Sequence, residues 1–156
     1  MKILVIDNGR QISPLLLIAE PDVEFYTDEI LALNAVERHK PELILLSHSV
    51  RGGGTAEYID LLLEACSTSS LVVIGDDLGD EAVLECLAAG AKGYLNNRDL
   101  ELYLGKMIHA IKLGEAWISR RMTAYLLDFI RQHPSVQQNQ ANVNVLAVAD
   151  SLSKLQ

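Results

Sequence analysis

The chain is predicted to fold as an α/β domain on a five-stranded parallel sheet, doubly wound with helices on both faces. Two patterns carry that expectation. Short apolar runs recur at 3–6, 23–26, 43–46, 71–74 and 93–95, and strands buried on both faces read as such nearly continuous runs. Between them lie longer segments with helical spacing, at about 10–20, 28–38, 55–66, 80–89 and 99–113. Regular β/α alternation of this kind gives a doubly wound sheet.

Each element has its own justification. Ile3, Leu4, Val5 and Ile6 form a compact, partly β-branched strand, and Val23 to Tyr26 a shorter one. The helix over 99–113 is the clearest, because Leu100, Leu104, Met107, Ile108 and Ile111 make one stripe at 3.6-residue spacing. Thr55, Asp80 and Asp99 are expected N-caps, and Gly90 and Gly114 expected stops. Past residue 114 a second stripe of Met122, Tyr125, Leu126, Phe129 and Ile130 predicts an extra C-terminal helix from about 119 to 132, ended by Pro134. The polar, uncharged stretch SVQQNQANVN then reads as a linker, followed by a weakly helical run over 143–155. The expected organisation is a domain over 1–118, a linker or dimerisation helix over 119–133, and a polar linker with a short helix over 134–156.

Composition narrows the function. With 156 residues, 49% hydrophobic and 22% charged, the chain suits one globular domain. A net charge of -8 argues against a phosphate-gripping surface in this segment. Arg120 and Arg121 form an adjacent basic pair, expected on a solvated face. The two cysteines, Cys66 and Cys86, lack CxxC spacing and fall in apolar helical patterns, so buried free thiols are expected. Apolar runs stay short of a membrane span, and MKILVIDN enters a strand directly without signal-peptide flanks. A cytoplasmic, non-membrane protein is the expectation.

The architecture also says where a site belongs. In open α/β sheets ligands sit beyond the carboxyl ends of the strands, at the topological switch point. In a flavodoxin-like order, 2-1-3-4-5, that point falls between the first and third strands. The residues there are Asp7-Asn8 and Ser47-His48-Ser49, joined by Gly75-Asp76-Asp77 and Asn96-Asn97.

These segments resemble a response-regulator receiver domain, of the kind that precedes a helix-turn-helix module in LuxR/NarL-type regulators. MKILVIDN, PELILLS, LVVIGDD, AAGAKGYLNN and IHAIKLGEAWISRRM carry the likeness, which covers about residues 1–132. The AGAKGYL and IKLGEAWIS blocks are the most specific. The resemblance implies a receiver-like fold and a role in two-component signalling or a phosphorelay.

It also implies which residues should hold the chemistry. In that family a carboxylate accepts the phosphoryl group, paired acids hold Mg²⁺, a Thr or Ser hydroxyl and a Lys contact the phosphate, and the positive groups offset its charge. Here the acidic pair is Asp7 followed by Asn8, the acceptor position is Ser47, the hydroxyl position Gly75 and the lysine position Asn97. Only Asp7 keeps the expected type. Tyr94 stands at the switch-aromatic position. A degenerate pseudo-receiver is therefore expected, with no catalytic residue, no resident metal and no cofactor. Ser47 lacks an activating base, because His48 follows it on a strand end and should point away.

Other features are given plainer readings. Arg51-Gly52-Gly53-Gly54-Thr55 is read as a flexible loop, the alternative being a set of backbone amides offered to an anion. His39, His109 and His133 are taken as surface or interhelix histidines, and Trp117 as a packing residue. Interface candidates are Leu100, Leu104, Ile108, Tyr125, Phe129 and Ile130, with a protein partner or a second copy as the expected occupant. The leading expectation is a phosphorylation-independent regulatory and dimerisation module of a transcription regulator whose DNA contact lies outside this segment. A stand-alone adaptor and a small-molecule sensor using space around Asp7, Ser47 and Gly75 are the alternatives.

Overall fold

A computed structural model of the protein describes residues 1–9, 12 and 22–132. Apart from Ile12, the expected helix over 10–20 lies outside those residues, as do His133, Pro134, the polar linker and the run over 143–155.

The described chain runs β1 (Ile3–Ile6), β2 (Val23–Tyr26), α1 (Glu29–His39), β3 (Leu43–Ser47), α2 (Thr55–Ala65), β4 (Ser70–Gly75), α3 (Asp80–Ala88), β5 (Gly93–Asn96), α4 (Leu100–Lys112) and α5 (Arg120–Gln132). The strands form one five-stranded sheet in the order β2-β1-β3-β4-β5. Every neighbouring pair is parallel, with Ile6 beside both Tyr26 and Leu46, and Ser47 beside Ile74. The expected fold class and strand order are therefore observed. β1 and β2 have the expected bounds, while β3, β4 and β5 each run one residue further toward the carboxyl edge.

Alternation along the strands divides the core into two layers. Leu4, Ile6, Ile44, Leu46, Leu71 and Val73 pack with α1, α2 and α3. Ile3, Val5, Leu43, Leu45, Val72 and Ile74 face the other way, toward α4 and Ile12. With both faces covered, the central strands need no polar alternation, which is why they read as unbroken apolar runs.

Helix ends correct the sequence reading in detail. Thr55 and Asp80 are the first helical residues of α2 and α3, and Gly54 and Gly79 hold the cap positions. The Thr55 hydroxyl instead donates to the Gly52 carbonyl at 2.6 Å. Asp99 does occupy the cap position of α4, but without a side-chain cap bond, because a 3-10 turn over Asn97–Asp99 leads into the helix. Gly90 and Gly114 end their helices with φ of 121° and 81°, a region costly for other residues.

The sheet edge at β5 is closed by the segment after α4. The Trp117 amide donates to the Lys92 carbonyl and the Tyr94 amide to the Trp117 carbonyl, both at 3.0 Å. This approach requires glycine at 93: a Cβ there would lie 2.5 Å from the Trp117 carbonyl oxygen. Covering an edge strand also removes a template for unwanted pairing.

α5 then folds back on the domain. Its Met122 and Leu126 join the same core cluster as Val83, Leu84 and Leu87 of α3, and Ile130 is buried. Ser119 caps it, its Oγ accepting from the Met122 amide at 3.1 Å. The stripe expected to serve dimerisation is thus largely buried within the chain, leaving Tyr125 38% exposed. Leu100, Leu104 and Ile108 are likewise corrected as interface candidates, since each is buried against the sheet. Their stripe is the inner face of α4.

Candidate functional site: a degenerate phosphorylation pocket

The parallel sheet brings the expected residues to one edge, and local bonds then commit them to one another. Asp7, directly after β1, is 6% exposed. Its two carboxylate oxygens accept from the Gly9 amide at 2.9 Å and the Ile12 amide at 3.2 Å. Asp7 thus anchors the turn that leaves β1, the way short acidic side chains stabilise turns.

Ser47, at the end of β3, is 5% exposed. Its hydroxyl lies 2.8 Å from that of Ser49. Ser49 in turn donates to Asn8 Oδ1 at 2.6 Å, and Asn8 Nδ2 donates back to the Ser49 carbonyl at 3.3 Å. A closed polar ring thus joins the β1 and β3 ends. Ser47 pairs with the Ser49 hydroxyl, a neutral group that is no strong base and does not activate it. Burial holds the His48 imidazole below its usual range, and Glu85 opposes that shift.

Across the sheet, Asn97 Nδ2 donates to Asp76 Oδ1 at 2.6 Å. Asp77 is bridged by Arg98 at 2.9 Å and its amide donates to Asn96 Oδ1 at 2.8 Å. Asp77 itself adopts φ of 50°, a left-handed turn conformation that aspartate tolerates. Asp7, Asp76 and Asp77 therefore each have a local structural role. Among the described residues, no three His, Cys, Asp or Glu side chains gather into a group that could hold a metal ion.

Gly75 was expected to leave room at this edge. It leaves none of its own: a Cβ on Gly75 would lie 2.8 Å from Leu78 Cγ and 3.3 Å from the Tyr94 ring. Leu78 occupies that space. Its amide donates to the Tyr94 hydroxyl at 3.1 Å, and that hydroxyl donates to Asn96 Oδ1 at 2.5 Å. Burial raises the Tyr94 phenol above its usual range, outweighing the Leu78 amide that lowers it. The sensor pocket at Asp7, Ser47 and Gly75 is thus filled by side chains at its Gly75 end. A groove of about 550 Å³ lies further along β5, lined by Leu78, Val83, Tyr94, Trp117 and Met122 among others.

The glycine loop is also accounted for. Gly52–Gly54 forms a 3-10 turn, and Arg51 lies 3.5 Å from Glu29 and 3.7 Å from Glu57, over the Tyr58 ring. Its positive charge is thereby balanced by two carboxylates. His39 has a partner that the sequence reading missed, Glu24, at 2.8 Å. Cys66 and Cys86 are buried free thiols as expected. Burial, with help from Glu85, pushes the Cys86 thiol up to about 11. The residues overlooked from sequence are Leu78 and the Arg121–Asp80 pair. An apolar residue in a loop is the only signal Leu78 offered.

The sheet order, with a polar cluster at its carboxyl edge, is that of a flavodoxin-like, receiver-type fold. Comparison with known proteins shows what the chain is similar to: a response regulator of the NarL type in sequence, and response-regulator receiver domains in fold. Over 111 residues the chain is 30% identical to the nitrate/nitrite response regulator protein NarL of Escherichia coli strain K12, covering 70% of this chain and 51% of NarL. The chain thus spans about half the length of that relative. Among solved structures, the isolated REC domain of RcsB from Salmonella enterica serovar Typhimurium, in its apo form, aligns with a TM-score of 0.71 at 16% identity, covering 82% of this chain and 98% of that one. A LuxR-family two-component response regulator from Aurantimonas sp. SI85-9A1 aligns with a TM-score of 0.67 at 18% identity, covering 81% and 95%. At such identities these structures show the shared fold. No protein-family model matches the chain.

Proposed function

We propose that this chain is a phosphorylation-independent pseudo-receiver, the regulatory and protein-interaction module of a NarL/LuxR-like transcription regulator. The observation that carries the proposal is Ser47: a hydroxyl stands where an acceptor carboxylate would be needed, and it is bonded to Ser49 at 2.8 Å. The surrounding residues support the same reading. Asn97 offers an amide in place of an ammonium, and Gly75 offers no hydroxyl to draw toward a phosphate. A loosely activated serine cannot replace a carboxylate nucleophile held with Mg²⁺ and lysine. The module is accordingly non-enzymatic, and its output depends on a protein partner or a second copy. Any DNA contact would belong to a domain outside these residues, if one exists, consistent with the net charge of -8. Among the described residues no helix is long and apolar enough to cross a membrane, and we place the module in the cytoplasm.

The test is a titration with Mg²⁺ and beryllofluoride followed by amide NMR. The expected result is an unchanged spectrum. Shifts at the site that spread through residues 75–97 would show a working phosphate switch and defeat the proposal.

A further inference from the structure

The groove beside β5 holds about 550 Å³, inside the range of roughly 300–1,000 Å³ common to small-molecule sites. Leu78, Val83, Leu95, Ile118 and Met122 give it an apolar lining. Its first chemical preference is aromatic. Tyr103 of α4 and Trp117 both line it, with ring centroids 6.2 Å apart and planes inclined at 46°. Inclined rings form a corner, and a cation in the mouth of that corner reaches both within about 6 Å, the range of a cation–π contact. One cation already stands on Tyr103: Lys106 Nζ lies 5.7 Å from its ring centroid. Lys106 is not part of the groove lining, so it steadies the ring without filling the space.

The second preference is charge. Around the groove three carboxylates, Asp77, Asp80 and Asp99, meet two guanidinium groups, Arg98 and Arg121. Arg98 bridges Asp77 at 2.9 Å, and Arg121 grips both oxygens of Asp80 at 2.9 and 3.1 Å. The excess negative charge therefore falls on Asp99, whose side chain makes no cap bond to α4. Asp99 lies four positions before Tyr103, which puts carboxylate and ring on one face of the helix start. A cation with apolar substituents gains from the carboxylate, from the ring faces and from covering its hydrocarbon. An anion of the same size meets negative charge at each of them.

We propose that this groove binds a free organic cation, a substituted or quaternary ammonium carrying an apolar group. The ammonium head sits at Asp99, Tyr103 and Trp117, and the apolar group lies against Ile118 and Met122. The site is separate from Ser47, and it stands whether or not that hydroxyl takes part in phosphorylation. Ile118 and Met122 belong to the segment that returns after α4, so an occupant ties α5 to the sheet edge.

The probe is benzyltrimethylammonium, with phenylacetate as an anion of similar size. Trp117 is the single tryptophan of the chain, so its emission reads the groove directly. With the full chain, the expected result is a saturable change in emission with benzyltrimethylammonium and none with phenylacetate at equal ionic strength. Asp99→Asn keeps a residue suited to a helix cap and should weaken the cation about 3–5-fold, the scale of one partly exposed charge pair. Tyr103 is 39% exposed, so Tyr103→Leu spares the core; it should weaken binding about 3–10-fold through loss of the ring face. An equal response to both probes, no response to either, or a titration unchanged by both substitutions would overturn the proposal. Each of those results leaves the reading of the Ser47 pocket untouched, because that reading is tested by beryllofluoride alone.

Discussion

Leu78 fills the hollow above Gly75, its Cγ 2.8 Å from where a Cβ on residue 75 would stand. The two residues are complementary, and the fit also positions the Leu78 amide on the Tyr94 hydroxyl at 3.1 Å. Gly75→Ala is expected to push Leu78 out and destabilise the domain by about 1–3 kcal/mol, the usual cost of overpacking. Leu78→Ala should relieve the clash, so the double variant costs less than the sum of the singles. Urea denaturation of the three variants measures this, and strict additivity would contradict the fit.

Ser47→Asp restores the acceptor type without restoring the site. Ile6 and Leu46 are directly paired, so Asp7 and residue 47 leave neighbouring strands side by side. Two carboxylates there repel. The variant should lose about 1–3 kcal/mol in urea denaturation at pH 7, in line with burying a poorly paired polar group. With Asn97 in place of a lysine, beryllofluoride should still leave its NMR spectrum unchanged.

Gly93→Ala tests the sheet edge. A Cβ there would meet the Trp117 carbonyl oxygen at 2.5 Å, so the segment holding Trp117 must shift away from β5. The expected loss is about 1–3 kcal/mol, with a red-shifted emission as Trp117 becomes wetter. Trp117 is the single tryptophan of the chain, so fluorescence reports this segment alone. An unshifted spectrum at natural stability would contradict the close approach.

His48 predicts the acid side of the stability curve. Burial lowers its folded pKa below the ordinary 6.5. Between the two values the unfolded chain binds the proton and the folded chain does not, so stability rises with pH. The contribution is complete above pH 6.5 and is lost as pH falls through the lowered folded value. His48→Gln should therefore flatten the dependence of the urea midpoint between pH 7.5 and 5.5. An equal slope in both proteins would assign that dependence to other groups.

Leu126→Ala measures how firmly α5 is seated. Truncating this 4%-exposed residue should cost about 2–5 kcal/mol if the helix melts with the core. A smaller loss, with faster amide exchange confined to residues 120–132, is the outcome expected of a separable helix.

Sequence alone determined the sheet. Apolar runs such as Ile3–Ile6 and the stripe of α4 are set by local periodicity, which follows from backbone geometry and needs no knowledge of neighbours. The type of each residue at the degenerate pocket was legible for the same reason: Ser47, Gly75 and Asn97 can be read off their positions after strands. What those residues touch was not legible. An apolar stripe states that a face is buried without naming what buries it, so Leu100 and Ile108 read as interface candidates when they line the core. Gly75 likewise read as empty space, because the side chain that fills it comes from a loop with no periodicity. Asp80 and Arg121 lie 41 positions apart, and only the return of the chain along β5 brings them together. Local propensity decides the elements; contacts between distant segments depend on how those elements pack, and only the tertiary structure decides that.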